Sequence, residues 1–348
     1  MSDAARLVSW FRTNARPMPW RTTPRDPYRS LVSELMAQQT QLDRVVPRFD
    51  AFVERFPSLA AIAAASEDDV VEAWSGLGYY RRARLLHRLA REVVAGSGEL
   101  PRTAAELERL PGVGPYTAAA VASMVHGEAI PLVDGNVARV GARVLALAGD
   151  PRTGAVRRTI LSWVEDLMGG ARPGEINEGL MELGALVCTP ASPACDRCPL
   201  VPACRAAGAG NPEDYPPPRK IRDPEDLQWV SAIVEDADGR WLLRRVTRGP
   251  ILRGLWLPAF SEVDPGRSLE EQARSLLPGG AVGSVERFEP IRHSITHRRI
   301  EVTPVRIGVG NPVALEDEWV WADPHAPKLP TSSLLGKLVA AVSSARRT

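Results

Sequence analysis

Leu110-Pro111-Gly112-Val113-Gly114-Pro115-Tyr116-Thr117-Ala118 stands between two stretches of helical periodicity, residues 104–110 and 116–125. Its two glycines let the backbone turn tightly and approach a partner closely. The N–H groups of Val113 and Gly114, with the first turn of the following helix, are expected to point outward and to accept a phosphate oxygen as ligand. That is the pattern of a helix-hairpin-helix, which grips the DNA backbone without reading its sequence. An ordinary αα-corner would use the same glycines.

Upstream of the hairpin, residues 30–39, 67–74 and 81–94 place apolar residues three and four apart, in short segments broken by Pro, Gly or Ser. Thr103 before Ala104-Ala105-Glu106 has capping-box spacing. Residues 1–206 therefore read as a compact all-α body. Arg81, Arg82, Arg84, Arg88 and Arg91 could add phosphate contacts or form a solvated helix face. Downstream, the apolar run 130–133 delivers Asp134 from a buried stretch to the start of a helix predicted through residues 138–147, where it would serve as N-cap.

The 348 residues suggest two domains. Lys and Arg number 43 against 42 Asp and Glu, so the formal charge of +1 offers no global attraction to a polyanion. With 44% hydrophobic and 24% charged residues, the composition excludes a disordered chain, a collagen or a coiled coil. No run of 18 apolar residues occurs, and the N-terminus is amphipathic, which predicts a cytoplasmic protein. The basic residues are almost all arginine, since only Lys220, Lys328 and Lys337 are lysine.

A breaker-rich stretch follows at residues 207–226, with Gly208-Ala209-Gly210-Asn211-Pro212 and Pro216-Pro217-Pro218, and reads as a linker. Residues 227–348 have a different texture. Segments 229–234, 241–243, 300–307 and 319–321 look like strands, Asp238-Gly239 like a hairpin turn, and 269–277 and 333–346 like helices. A second, α+β domain is expected.

All four cysteines, Cys188, Cys195, Cys198 and Cys204, fall in one loop with the spacing C-x6-C-x2-C-x5-C. Four thiolates this close suit one metal centre better than two disulfides in an intracellular chain. Spacing alone leaves structural zinc and an iron–sulfur cluster equally open.

The hairpin, the aspartate in Val133-Asp134-Gly135-Asn136 and the cysteine loop, in that order, resemble the endonuclease III superfamily of DNA base-excision glycosylases. The resemblance implies a [4Fe–4S] cluster on the four cysteines and makes Asp134 the shared catalytic carboxylate. Bifunctional members carry a lysine in the second hairpin helix that cleaves the strand through a Schiff base. Tyr116 stands there in this chain, and no lysine precedes Lys220, so strong lyase activity is disfavoured.

Ser33-Glu34-Leu35-Met36-Ala37-Gln38-Gln39-Thr40-Gln41 and Gly76-Leu77-Gly78-Tyr79-Tyr80-Arg81-Arg82-Ala83-Arg84 narrow the resemblance to the adenine DNA glycosylases (the MutY family), densely from Trp10 to Cys204. That resemblance nominates Glu34 as the acid that protonates adenine N7, with its pKa raised by apolar surroundings. Asp134, ionised at a helix N-terminus, would face the oxocarbenium and form a transient adduct before water attacks. Tyr116 and Asn136 would hold this arrangement. Gln39 and Tyr79 would wedge into the duplex as adenine leaves it, Gln38, Thr40, Gly112, Val113 and Gly114 would contact DNA, and Trp20, Arg21 and Glu178 would surround the extruded base.

By the same resemblance the C-terminal domain is Nudix-like and reads 8-oxoguanine opposite the adenine. Arg253-Gly254-Leu255-Trp256-Leu257-Pro258 matches its glycine–tryptophan turn. Leu269-Glu270-Glu271-Gln272-Ala273-Arg274 lacks the glutamate cluster that holds magnesium in a working Nudix hydrolase, so no pyrophosphatase activity is expected. His293, Thr296 and His297 fall in the recognition loop, which ends Ile295-Thr296-His297 where the family usually has Phe-Ser-His. Ala37 and Ala138 replace a larger apolar and a basic residue.

The resulting expectation is a monomeric, monofunctional glycosylase acting on double-stranded DNA with adenine opposite 8-oxoguanine or G, in a bacterial cytoplasm. The alternatives are an endonuclease III-type enzyme for oxidised pyrimidines and a DNA-binding module without catalysis.

Overall fold

The computed structural model describes residues 1–169, 172–217, 223–278, 283–308 and 318–345. The chain divides into two compact units, Met1–Ala65 with Arg81–Lys220, and Ser66–Tyr80 with Ile221–Thr348.

Helices come in the order α1 (Asp3–Asn14), α2 (Pro27–Ala37), α3 (Leu42–Arg55), α4 (Leu59–Ala64), α5 (Glu67–Ala73), α6 (Arg81–Ala95), α7 (Ala104–Leu107) and α8 (Pro115–His126). They continue with α9 (Gly135–Leu145), α10 (Gly154–Met168), α11 (Pro173–Leu186) and α12 (Arg205–Gly208). All but α5 belong to the first unit. Many starts are dictated locally. The side chains of Ser2, Asp26, Ser58, Thr103 and Asp134 each accept an N–H of the first turn they precede, which satisfies one of the otherwise orphaned donors there. Ile176, Leu180 and Leu183 of α11 pack with Leu7 of α1, Ala119 and Ala120 of α8, and Val137 and Val140 of α9 in one buried core. Gly184 makes the α11–α9 contact possible, because a Cβ there would lie 2.6 Å from Asn136 Cβ.

The hairpin turns at Gly112, where φ is +81° and an added Cβ would meet Leu85 Cβ at 2.8 Å. Both features demand glycine. The expectation for Val113 is corrected: its N–H donates to Leu110 O at 3.2 Å and its side chain is buried. The tight turn satisfies that donor itself.

The second unit carries strands β1 (Glu225–Ile233), β2 (Trp241–Arg245), β3 (Trp256–Leu257), β4 (Ala259–Glu262), β5 (Val285–Arg287), β6 (Ile291–Ile295), β7 (Arg298–Ile307) and β8 (Trp319–Ala322). Helix α13 (Leu269–Ser275) lies between β4 and β5 in the chain, and α14 (Ser333–Ala345) closes it. One sheet has the order β4-β1-β7-β5 with β6 also paired to β7, and β1 and β7 run parallel. The other is β3-β2-β8. Asp238-Gly239 does form a turn, with Gly239 N bonded to Asp236 O at 3.1 Å. The two arms meet around it through the antiparallel bridge Glu235↔Trp241 and the bonds Asp236 N to Arg240 O and Leu242 N to Val234 O, each 2.9 Å, before β1 and β2 enter different sheets. Both edges of β1 are taken, by β4 and by β7, which leaves no edge for β2 beyond the turn.

Part of the stretch expected as linker is structured. Ser192 N donates to Glu213 Oε1, and Arg143 Nε donates to Tyr215 O at 2.9 Å. Strand β1 already begins at Glu225. Residues 218–222 of that stretch lie outside the described residues. No described helix is long and apolar enough to cross a membrane.

Candidate active site

Helix α2 brings Glu34 to a cavity of about 390 Å³ in the first unit. Trp20 and Arg21 from the α1–α2 connection, Tyr116 from the first turn of α8, Asn136 from α9, and Glu178 and Met181 from α11 share its walls. Burial pushes the Glu34 carboxyl up from about 4.5 to about 7. A hydrogen bond with Tyr116 works against that, while the neighbouring Glu178 and Asp134 carboxylates reinforce it. Burial, with Glu34 and Asp134 beside it, holds the Tyr116 phenol well above its ordinary pKa, so it remains a donor. Its hydroxyl also lies 3.8 Å from Met181 Sδ.

Asp134 is the N-cap of α9. Its Oδ1 accepts from Val137 N at 2.7 Å and its Oδ2 from Asn136 Nδ2 at 3.2 Å. Burial raises its pKa too, but the Val137 and Asn136 donors pull toward the anion, the form a helix N-terminus favours. Asn136 is steadied in turn by Arg139, which donates to Asn136 Oδ1 at 2.9 Å, Gly184 O at 2.8 Å and Cys188 O at 2.7 Å.

One wall of the cavity is an ionic lattice. Arg21 spans Glu178 and Glu182 with contacts of 3.0 Å to each, Arg25 holds the second oxygen of Glu178 at 2.7 Å, and Arg16 holds Glu182 at 2.7 Å. Burial would raise the pKa of Glu182, but the Arg16 and Arg21 donors outweigh it and lower it. Arg16, Arg25, Met181 and Glu182 did not emerge from sequence reasoning. The available signal was the spacing of Glu178 and Glu182, four apart in the more apolar part of α11, which puts both on one face. Trp20 serves two ends at once, packing edge-on against Phe49 at 5.1 Å while lining the cavity.

Gln39 and Tyr79 are both exposed, and each holds a positive φ, +55° and +48°. Gln38 Nε2 donates to Thr117 Oγ1 at 3.0 Å. Arg82, expected among the phosphate contacts, is instead buried, whereas Arg81, Arg88 and Arg91 of the same helix are exposed.

The four cysteines are free thiols that line one cavity together with Val140, Arg143, Val144 and Val187. Burial pushes the Cys198 thiol up to about 11, with Cys188, Cys204 and Cys195 adding to the effect. Arg143 donates to Cys188 Sγ at 3.3 Å and to the carbonyls of Thr189 and Pro190. Among the described residues no three His, Cys, Asp or Glu side chains converge on a point for a single metal ion. The four half-buried thiols nevertheless face one common space beside an arginine donor, a set that suits a thiolate-bound metal centre.

In the second unit the expected recognition residues part company. His293 is buried at 7% exposure on β6, and burial together with Lys337 lowers its pKa to about 4. Thr296, at φ +56°, and His297 are exposed at the β6–β7 turn. His297 Nε2 lies 3.5 Å from Glu225, which Arg298 also holds at 2.7 Å.

The family described as "HhH-GPD superfamily base excision DNA repair protein" matches residues 32–166, a span with Glu34, the hairpin and Asp134. The adenine DNA glycosylase of Mycobacterium tuberculosis is 40% identical over 215 residues, covering 62% of this chain and 70% of the relative. The chain belongs to the adenine DNA glycosylase family. The human family member is 44% identical over 209 residues, 58% of this chain and 38% of its own. The chain thus spans about 40% of the length of the human, mouse and rat relatives it matches. Among solved structures, a thermostable thymine-DNA glycosylase superposes with a TM-score of 0.53 at 28% identity, over 59% of this chain and 95% of that one. A trapped endonuclease III–DNA covalent intermediate shares the fold, with a TM-score of 0.51 at 21% identity, over 60% and 99%. These likenesses place the helical unit of this adenine DNA glycosylase family member in the superfamily fold that its hairpin predicted.

Proposed function

We propose that the protein is a monofunctional glycosylase that hydrolyses the N-glycosidic bond of adenine opposite 8-oxoguanine or G in duplex DNA. The observation that carries this reading is the pair of acids: Glu34, with its pKa pushed up to about 7, on a cavity with room for a nucleobase, and Asp134 capping α9, close enough to raise it.

Adenine leaves deoxyribose poorly as an anion. A proton from Glu34 to N7 lets it leave neutral as C1′–N9 breaks. The C1′ cation then faces Asp134, whose oxygen bonds to C1′. Water attacks C1′ with Glu34, now the anion, taking its proton, and the Asp134 ester bond breaks. Tyr116 bonds to Glu34 and Asn136 bonds to Asp134, so each acid keeps its orientation. Glu178 and Arg21 present fixed polar edges to the extruded base.

Cys188, Cys195, Cys198 and Cys204 would hold a [4Fe–4S] cluster, which would crosslink their loop. Arg139 and Arg143 tie that loop to the helix that Asp134 caps. In the second unit, taken as Nudix-like, Thr296 and His297 are the residues assigned to the base opposite adenine; interior His293 would support them from within.

The test is a panel of duplexes with adenine opposite 8-oxoguanine, G and C. Release of adenine with strand breaks only after alkali supports the reading. Release of an oxidised pyrimidine with borohydride-trappable enzyme would overturn it. Anaerobically purified protein should absorb in the visible, and a colourless, zinc-loaded preparation would contradict the cluster.

A further inference from the structure

We propose that Arg82 is the positioning residue for the loop at residues 38–40: its guanidinium holds Gln39 in the conformation from which that side chain enters a duplex. The inference rests on the function proposed above and adds a residue to it.

Arg82 sits in the first turn of α6, a helix whose arginines look like a solvated cationic face, yet only 7% of it is exposed. Burying a guanidinium is costly unless its N–H groups find acceptors. Here Nη1 donates to Leu35 O and Met36 O, each at 2.8 Å, and to Gln38 O, while Nη2 donates to Thr40 Oγ1 at 2.8 Å. The three carbonyls lie at and just past the C-terminus of α2, where backbone acceptors lack helical partners and the dipole favours a cation. Arg82 therefore ends α2 and grips both sides of Gln39.

Gln39 itself is exposed and left-handed at φ +55°. A non-glycine residue stays in that region when its surroundings over-determine it. They do so here. Arg82 fixes Gln38 O and Thr40 Oγ1, Thr117 of α8 accepts from Gln38 Nε2 at 3.0 Å, and Thr40 N donates to Ala37 O at 3.2 Å. An exposed amide on a fixed backbone is ordered before DNA arrives and loses less freedom on insertion. Lysine cannot replace this grip, because the carbonyls and the Thr40 hydroxyl are held by different arms of a planar fork.

Arg82→Lys, Thr40→Val and the double variant test the assignment. Single-turnover adenine release is measured on a duplex with adenine opposite 8-oxoguanine, and on the same strand with adenine opposite an abasic analogue, where extrusion costs less. Thermal melting and the fluorescence of 2-aminopurine placed beside the adenine are recorded in parallel. Arg82→Lys is expected to slow the paired substrate about tenfold or more and the opened one by less than about threefold, with weaker 2-aminopurine enhancement. Thr40→Val should lose less in the same direction and add nothing in the double variant. Equal losses on both substrates, or none, overturn the proposal. If Arg82→Lys does not fold, Thr40→Val decides by the same comparison. A wild type inactive on every adenine substrate would fail the proposed function alone; the 2-aminopurine signal would still report whether Arg82 sets the loop.

Discussion

The cavity in the helical unit and the β6–β7 turn of the second unit, each proposed above to meet a nucleobase, are built by opposite means. The cavity wall interlocks Arg16, Arg21 and Arg25 with Glu178 and Glu182, each a contact between residues more than 150 positions apart. At the turn, Thr296 Oγ1 donates to its neighbour's carbonyl, Ile295 O, at 2.6 Å, and His297 leans on half-exposed Glu225. Removing one member of a buried ion pair commonly costs about 3–5 kcal/mol, whereas an exposed pair is worth about 0–1 kcal/mol. The cavity is therefore set before substrate arrives, and the turn is free to adjust to what it meets.

The largest effects should come from the acids that use this preset wall. Glu34→Gln is expected to slow adenine release by about 10²–10⁴-fold, measured in single turnover. Because the fold raises the Glu34 pKa, protonated Glu34 stabilises the protein below pH 4.5, and that contribution is lost as pH rises through about 7. The glutamine variant, which mimics the protonated form, should thus be more stable than wild type above pH 7 by roughly 3 kcal/mol and equal to it near pH 4. Asp134→Asn should reduce release about 10²–10³-fold while duplex affinity stays within about threefold; parallel loss of binding would make the residue structural.

Glu182→Gln tests the wall itself. Leaving Arg16 and Arg21 short of a charged partner should cost about 1–3 kcal/mol in chemical denaturation and about tenfold in adenine release. Glu225→Gln at the turn should change stability by less than about 0.5 kcal/mol, and comparable costs at the two sites would erase the contrast. The smallest effect is expected from Thr296→Ala, which should shift the preference for 8-oxoguanine over G by about threefold with no change in release from the G-paired duplex.

Features that arise from a few adjacent residues were legible in the sequence. Asp134 caps α9 because an N-cap needs only its own next turn, and the Gly112 turn follows from a missing Cβ. The lattice on Glu178 was not legible, since its cations come from the other end of the chain. The same holds for the parallel β1–β7 pairing, whose partners lie far apart in the sequence. Arg82 was misassigned because arginine in an Arg-rich helix suggests solvent. Its position on the stripe with buried Leu86, Leu89 and Val93 was the available sign that it points inward.

The central claim is that Glu34 donates its proton from a pKa near 7. The direct measurement is the single-turnover rate of adenine release from an adenine:8-oxoguanine duplex between pH 5 and 9, for wild type and Glu34→Gln. The rate for wild type should fall as pH rises through about 7, and the residual rate of the variant should show no such limb. A flat wild-type profile, or the same falling limb in both proteins, would contradict the claim.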